Sequence, residues 1–568
     1  MYRYFLFICI AFLAYSQLQQ THQKTDFCIF VVPEAKSKCH KNAQEFIQQN
    51  TGQSSPLHFV NLGKHFARIK NDKIIFKPRK DAKEWPISIP VNWAADPFND
   101  RNWRMSFLSL RALDPFFWEF QETQNPETLR SIFAYLLDWY TFHVIQKQYH
   151  RFAWYDMSVA YRADRLSVYM DWVSGHIELF NDSELFVLFH LCNLHIAYLT
   201  NSMNINPGNH GVFEIASVSR LCKTLPFFLT CNKQAWIKIK AEELTFNQFG
   251  EDGLHKEHSF GYHFFVQSTF KRLLKEGVFP MTKNAKERFQ RSIDANYWLT
   301  DSDNTIASIG DTDFGARSKP YEKVIDTSSE QVEETSKLFQ SSGLAVIKNS
   351  HSTLWFHGAY HSVAHKQDDD LSFFLFDTNY PLLIDGGKYA YSSGEKREYF
   401  LQRYAHNTVF AESIQYKQQK HPYGSAIQSL DQNGEIFTLV GEVQYKNATH
   451  RRKLIFSPNN SLTVEDFIDS KDKNIQINFL LGPDLSLQTS GSNIASFIYG
   501  SKILTIENNN KECLLETYYG TRDKNGKYRG WYSPGYFKME PTWSLTYNCK
   551  NHKKKFSTVI TYNISYQN

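Results

Sequence analysis

The stretch PETLRSIFAYLLDWYTFHVIQ, residues 126–146, places apolar side chains three or four positions apart. Leu129, Ile132 and Phe133 recur at the spacing of one helix face, and further apolar residues cover a second face. The same spacing returns in SELFVLFHLCNLHIAYLTNS, residues 183–202. Helices that are apolar on more than one face are buried between their neighbours. This part of the chain therefore predicts helices stacked in layers.

Beyond the helices the apolar period changes to two. EIFTLVGEVQY, residues 435–445, and LTVEDFIDS, residues 462–470, alternate apolar and polar side chains, as strands with one buried face do. Turn residues divide such segments, which predicts two packed antiparallel sheets. We expect a multidomain chain, helical first and β second, with these parts: a signal peptide 1–16, a small mixed module 17–90, a helical domain 91–325, a polar connecting segment 326–342 and a β domain 343–568.

Composition excludes several protein classes. With 568 residues, 42% of them hydrophobic, and a net charge of +5, the chain is neither disordered, collagen-like nor a coiled coil. The small, dispersed positive charge predicts no nucleic-acid partner. The apolar run from Phe5 to Ala14 is too short to span a bilayer, ends in a small-x-small site and predicts a cleaved signal, hence a secreted or periplasmic protein. We expect no integral membrane span elsewhere.

Seven cysteines remain after that cleavage. An oxidising compartment allows three pairs that are close in sequence, with Cys192 left inside an apolar helix. The pairs are Cys28 with Cys39, Cys222 with Cys231, and Cys513 with Cys549. The alternative is that all seven thiols are reduced and buried as small hydrophobic residues.

Four clusters combine turn residues with ionisable or amide side chains. NINPGNHGVFE contains Asn209 and His210 at a helix start, and EDGLHKEHSFGYHFF contains Tyr262. HSVAHKQDDDLSFFLF contains His365 before a strand, and the segment 381–410 contains Asp385 and His406. Each member taken alone is also explained as a helix cap, a solvated residue or part of a charged loop.

Together these clusters resemble the heparinase II/III family of polysaccharide lyases. HKQDDDLSF, LLIDGGKYAY and REYFLQRYAHNTV follow one another between residues 365 and 409 as family-like signatures, after the Asn209-His210 pair and the pattern that ends at His263. The resemblance covers most of the chain from about Val91 onwards. It implies an incomplete (α/α) toroid followed by an antiparallel β-sandwich, with a cleft between them.

The resemblance also implies β-elimination on an acidic, uronate-containing polysaccharide without an organic cofactor. Such an enzyme must neutralise the uronate carboxylate, remove the C5 proton and protonate the departing oxygen. By match to the family pattern, Asn209 neutralises the carboxylate with help from His210, and Tyr262 protonates the leaving oxygen. His365 is the complementary base or donor. Which of Tyr262 and His365 takes the C5 proton depends on the stereochemistry of the substrate.

Several family members hold a structural zinc ion at positions that correspond to Gln367, Asp385 and His406. Glutamine is a poor zinc ligand, which favours a site without metal. In that case Asp385 and His406 form a direct hydrogen-bonded pair, with Gln367 bridging through its amide. If zinc is present, it should order the loop that carries His365.

Two other functions fit the same residues. A uronyl C5-epimerase would return the proton to C5 instead of expelling the leaving group, and a glycan-binding protein would keep the fold without catalysis. The segment WYDMSVAYRADR offers sugar contacts in Trp154, Tyr155, Arg162 and Arg165, with helix packing as the alternative. The sequence leaves the particular polysaccharide and the oligomeric state open.

Overall fold

The computed structural model describes residues 26–318 and 335–565, apart from positions 58–59, 61, 64, 72, 80–81, 149, 151, 302, 379, 392, 416, 418–420, 459 and 552–553. The expected signal peptide, 1–16, lies outside the described residues. The chain forms two compact units. Unit 1 comprises Met1–Leu244 and Thr269–Asn284, and unit 2 comprises Thr245–Ser268 and Ala285–Asn568.

Helices dominate unit 1. Their starts carry the expected caps: the Asn181 side chain and Glu184 form a reciprocal capping box, and Asn125 caps a helix that begins with Pro126. The helix Met157–Gly175 is buried on nearly all sides, as predicted for an inner layer. The described helices, labelled α1 to α12 in chain order, are Lys36–Lys41, Ala43–Asn50, Arg101–Leu108, Asp114–Thr123, Pro126–Tyr140, Met157–Gly175, Asp182–Leu199, Asn209–Thr224, Gln234–Gln248, Phe260–Glu276, Lys283–Asp294 and Glu395–Leu401.

Strands dominate unit 2. They are antiparallel throughout and form sheets of eight, five and four strands, beside three two-stranded pairs; a small three-stranded sheet, β1 to β3, lies in unit 1. The strands, labelled β1 to β26, are Ala67–Lys70, Lys73–Phe76, Trp85–Ile87, Ser336–Phe339, Leu344–Lys348, Ser352–His357, Ala359–Tyr360, Ser372–Asp377, Tyr380–Leu383, Val409–Phe410, Gly424–Ser425, Ile427–Asn433, Ile436–Tyr445, Ala448–Ser457, Ser461–Ser470, Asn474–Leu480, Ser486–Ser490, Ile494–Tyr499, Lys502–Asn508, Leu514–Tyr519, Thr521–Arg522, Tyr528–Arg529, Trp531–Gly535, Lys538–Pro541, Trp543–Lys550 and Lys555–Ser565.

The five-stranded sheet, β4-β5-β6-β8-β9, is buried on both faces. Leu354 and Phe356 of β6 face a core shared with the other large sheets, whereas Trp355 between them faces a second core. That second core includes Leu254 and Trp298. This packing places residues 245–268 and 285–318 in unit 2, although the sequence analysis assigned them to the helical domain.

The predicted order, helices followed by antiparallel sheets, is confirmed. Within the connecting segment 326–342, Ser336–Phe339 forms strand β4, so the sheet begins before the expected boundary at 343. The described residues contain the three expected disulfides, with Cys192 free and buried. None of the described helices combines the length and the apolar character needed to cross a membrane.

Candidate active site

Tyr262 lies in the first turn of helix α10. The start of this helix is held by side-chain oxygens: the Tyr262 amide donates to Ser259 Oγ at 3.3 Å, and the Gly261 amide donates to Thr312 Oγ1 at 2.9 Å. Hydroxyls satisfy amides that have no partner inside the helix. The sequence pattern Ser259-Phe-Gly-Tyr therefore fixes the position of the phenol.

His365 lies on the loop that connects β7 to β8. The half-buried His258 imidazole holds this loop through both of its nitrogens: Nδ1 donates to the Ala364 carbonyl at 3.0 Å, and Nε2 accepts from the His361 amide at 2.9 Å. This arrangement needs a neutral ring, and burial lowers the pKa of His258 to about 3. His258 thus ties the loop of His365 to the segment that precedes Tyr262.

The rings of Tyr262 and His365 stack with their centroids 3.7 Å apart. The Tyr262 hydroxyl donates to the Tyr391 hydroxyl at 3.0 Å. Burial raises the pKa of Tyr262 to about 12, so the phenol keeps its proton at neutral pH. The pair combines a proton donor with an imidazole in contact, as general acid–base chemistry requires.

Asp311 orients the His365 ring. Its Oδ2 lies 2.7 Å from His365 Nδ1, and Arg397 and the Gln367 amide donate to the same carboxylate at 2.8 and 2.7 Å. Burial acts to raise the pKa of Asp311, but the His365 bond and the Arg397 charge outweigh it and hold that pKa below its ordinary value. A carboxylate at Nδ1 places the proton there and leaves Nε2 as the basic atom.

Sequence reasoning missed Asp311. It stands 54 residues before His365, in IGDTDFG, where nothing in the local pattern distinguishes it from a turn aspartate. Glu257 and Arg397 lie within the quoted stretches EDGLHKEHSFGYHFF and REYFLQRYAHNTV, and the sequence predicted no role for them. Glu257 Oε2 lies 3.7 Å from His365 Nε2, and Tyr391 completes the hydroxyl pair with Tyr262.

Asn209 and His210 begin helix α8 in unit 1, as the sequence predicts. His210 is half exposed, and its Nδ1 lies 2.9 Å from the Asp156 carboxylate. Asp156 itself has a left-handed φ of 49°. Tyr262 and His365 belong to unit 2. Each unit therefore holds one neighbouring pair of the four predicted catalytic residues.

Two family models match the chain almost end to end. "Heparinase II/III N-terminus" matches residues 31–322, and "Heparinase II/III-like, C-terminal" matches residues 331–562. The chain belongs to the heparinase II/III family. The resemblance inferred from the motifs is thereby confirmed, and family membership supports a polysaccharide lyase at the level of the family.

Solved structures show the same fold. A heparinase III gene product is 16% identical, with 96% of this chain and 94% of that chain covered and a TM-score of 0.68. A heparan sulfate lyase from Pedobacter heparinus is 15% identical, with coverage of 94% and 91% and a TM-score of 0.64. Another heparinase III is 14% identical, with coverage of 93% and 91% and a TM-score of 0.68. No curated protein sequence matches the chain.

The four expected sugar contacts of this heparinase II/III member differ in their exposure to solvent. Arg162 and Arg165 are only 1% and 2% exposed. Arg162 donates to the Leu108 carbonyl and to His195, and Arg165 forms an ion pair with buried Asp114. Their place is therefore helix packing, which corrects the expectation of a sugar contact. Trp154 is half-buried against Arg162, whereas Tyr155 is 42% exposed and stays a predicted contact.

The three positions at which family members hold zinc have protein partners here. His406 Nδ1 lies 2.7 Å from Asp385 Oδ2, so the direct pair expected without metal is confirmed. The Gln367 amide nitrogen donates to Asp311 and does not bridge that pair, which corrects this part of the expectation. Among the described residues, the buried atoms Gln367 Oε1 and His406 Nε2 have no hydrogen-bond partner.

A second buried set suits a cation better. His357, Asp369 and Asp385 offer ligand atoms within 4.8 Å of one another. Imidazole and carboxylate are common zinc ligands, so this donor set fits a structural zinc ion. The Lys366 ammonium already donates to Asp369 at 2.7 Å and to Asp370 at 2.9 Å. A metal ion would compete with this buried ammonium for Asp369.

Proposed function

We propose that this protein is a lyase that cleaves a uronate-containing acidic polysaccharide by β-elimination. The observation that carries the proposal is the stacked Tyr262–His365 pair, with Asp311 bonded to His365 Nδ1. The pair places a protonated phenol next to an imidazole. Asp311 occupies Nδ1 of that imidazole, so its Nε2 is the atom that accepts a proton. These are the two groups that a β-elimination needs at neighbouring atoms of one sugar.

The reaction moves one proton at each of these groups. His365 Nε2 accepts the C5 proton, the C5–H electrons form the C4–C5 double bond, and the C4–O bond breaks. The Tyr262 hydroxyl gives its proton to the departing oxygen. Solvent afterwards restores the proton of Tyr262 and takes the C5 proton from His365, so both groups return to their starting states. A negatively charged uronate carboxylate resists this step, and we assign its neutralisation to the Asn209 amide with His210. Such a donor contributes about 3 kcal/mol to the transition state.

No organic cofactor enters this scheme. Zinc, where bound, would be held by His357, Asp369 and Asp385 and would supply only structural order to the segment that follows His365. The two proton transfers of the elimination step itself are performed by side chains of this chain. Added chelator is therefore expected to change stability more than the chemical step.

The test is a panel of uronate polymers monitored for the ultraviolet absorbance of an unsaturated uronyl product. Wild type should produce that absorbance on at least one polymer, and the variants Tyr262→Phe and His365→Ala should lose it while still binding the polymer. Deuterium incorporation at C5 without chain cleavage would contradict lyase action and indicate an epimerase. Tight binding without either reaction would indicate a glycan-binding protein.

We also propose that the protein acts outside the reducing cytoplasm, secreted or in a periplasm. Its disulfides, Cys28–Cys39, Cys222–Cys231 and Cys513–Cys549, support this location. Fractionation of the source cells, with mass determination of the mature N-terminus, tests the proposal. A full-length protein found only in the cytoplasm would contradict it.

A further inference from the structure

Six rings of unit 2 follow one another in contact, and the Tyr262–His365 pair lies in the middle of them. We call them the aromatic row: Phe265, Tyr262, His365, Tyr391, Tyr536 and Phe537. The successive centroid distances are 5.9, 3.7, 5.8, 6.0 and 4.4 Å.

The outer members of the row are exposed. Phe265 is 50% exposed, Tyr391 49%, Tyr536 43% and Phe537 46%. Apolar side chains scattered singly over a surface need no explanation, but a contiguous exposed group marks a contact site. These rings are contiguous with each other and with the proposed acid and base.

The far end of the row is held in place. Tyr536 and Phe537 form the turn between β23 and β24, and Phe537 has a left-handed φ of 58°, a conformation that favours glycine. The Phe537 amide donates to the Tyr389 carbonyl at 2.8 Å, and Ser533 Oγ accepts from the Tyr389 amide. A bulky ring kept in an unfavourable backbone conformation, and anchored to the loop that carries Tyr389 and Tyr391, indicates a functional position.

We propose that the aromatic row is a platform for the pyranose rings of a linear polysaccharide on both sides of the bond that is cleaved. This inference rests on the proposed lyase function, because Tyr262 and His365 mark that bond. Phe265 contacts the Tyr262 ring, and Tyr391, from which Tyr536 and Phe537 follow, contacts the His365 ring. The ligand is thus an extended chain of several sugars rather than a disaccharide.

The chemistry of the row matches sugar rings. A pyranose presents a face of C–H groups that packs on an aromatic ring, with hydroxyls around its edge, and tyrosine offers both a ring and a hydroxyl. Lys388 adds a cation: its Nζ lies 5.5 Å from the Tyr391 ring centroid and 3.1 Å from Asp313. A uronate carboxylate is the anion that this ammonium would meet beside a stacked sugar.

The experiment compares variants at the two ends of the row with a matched control. Phe265→Ala removes one end, and Tyr536→Ala with Phe537→Ala removes the other. Tyr519→Ala is the control, because Tyr519 is also 50% exposed but its ring contacts Trp543. The substrates are size-defined oligosaccharides of the polymer that wild type cleaves, and KM and kcat are measured separately for each length.

We expect each end variant to raise KM about three- to tenfold on long oligosaccharides, with kcat within twofold, and to leave the shortest cleavable oligosaccharide unaffected. The control should match wild type at every length. Should the double variant fail to fold, Phe537→Gly removes the ring and suits the left-handed backbone, and it should give the same length-dependent result.

Unchanged KM on long oligosaccharides in both end variants would overturn the platform and leave the lyase function standing. Absence of cleavage by wild type would overturn the lyase function instead. Calorimetric binding of size-defined oligosaccharides from the same panel of uronate polymers then decides the platform. Weaker binding by the end variants but not by Tyr519→Ala supports it, and equal or absent binding overturns it.

Discussion

Asp311 is the residue of the proposed site with the most clearly defined role, because it is buried and bonds directly to His365. Replacement by asparagine keeps the shape but removes the charge that orients the imidazole and stabilises its protonated form. We expect Asp311→Asn to lower kcat on the order of 10²- to 10⁴-fold with little change in KM. Steady-state kinetics on a cleaved uronate polymer measures both constants.

The control for this prediction is Asp313→Asn, two residues away. Asp313 is more than one-third exposed and pairs with Lys388. This variant should keep kcat within about threefold of wild type, because a surface ion pair contributes little. An equal loss of kcat in both variants would mean that any change in the segment 311–313 lowers activity, and that the carboxylate bonded to His365 has no particular role.

The pH dependence follows from Tyr262. A general acid must be protonated, and burial raises the pKa of Tyr262 to about 12, so the phenol loses its proton only near that pH. The alkaline side of the kcat profile should therefore stay flat up to about pH 11, as far as the protein remains folded. Stopped-flow rates after a brief pH jump measure this limb. A decline centred near pH 8 or 9 would exclude Tyr262 as the acid.

At this scale the sequence predicted the residue types but not their partners. Tyr262 and His365 were placed by motif, and they do meet. Asp311 and Tyr391 were not placed, because contacts across 54 and 129 residues depend on tertiary packing and leave no local pattern. For Arg162 the sequence could not decide between sugar contact and helix packing, because an arginine on a helix looks the same in sequence whether it is solvated or buried.

Among the elements, the loop that carries His365 depends on one side chain. His258→Phe keeps a ring beside His361, which stacks at 5.8 Å, but loses both hydrogen bonds to the loop. We expect faster amide exchange over residues 361–365 and a loss of kcat/KM of about ten- to a hundredfold, because small misplacements of a catalytic group are costly. Hydrogen exchange with mass spectrometry and kinetics measure the two effects.

His351→Phe is the control at an exposed histidine on a different turn of the same sheet. It should alter neither exchange at 361–365 nor kcat/KM. Unchanged exchange in His258→Phe, with full activity, would show that the loop is held by other contacts.

The elements themselves were largely predictable where periodicity was strong. The predicted strand 435–445 is Ile436–Tyr445, and the predicted helix over residues 183–202 is Asp182–Leu199. Strand β4, Ser336–Phe339, was missed because Leu338 and Phe339 are its only apolar residues, and its pairing with β5 supplies the missing signal. Pairing with a neighbour outweighs a weak local preference.

For the whole molecule, buried histidines make the stability of unit 1 depend on pH. Burial lowers the pKa values of His143, His190 and His195 in unit 1, so these rings are neutral when folded. The unfolded chain binds their protons below its ordinary pKa of about 6.5, so this stability is present above that pH and is lost as the pH falls. Burial raises the pKa values of Asp114, Asp138 and Glu214, the last to about 7, and these carboxyl groups act in the opposite sense.

His143 is the histidine that best tests this account. Its ring lies 4.5 Å from that of Trp139, burial lowers its pKa to about 3, and among the described residues neither ring nitrogen has a hydrogen-bond partner. His143→Phe removes two unsatisfied polar atoms and should stabilise unit 1 by about 1 kcal/mol at neutral pH. It also removes a group that costs up to about 1.4 kcal/mol per pH unit between about pH 6.5 and 3, so acid unfolding should begin at lower pH. Tryptophan fluorescence over pH 7 to 3 measures this, with the exposed His65→Phe as control. An acid midpoint that moves in neither variant would assign the acid response to other groups.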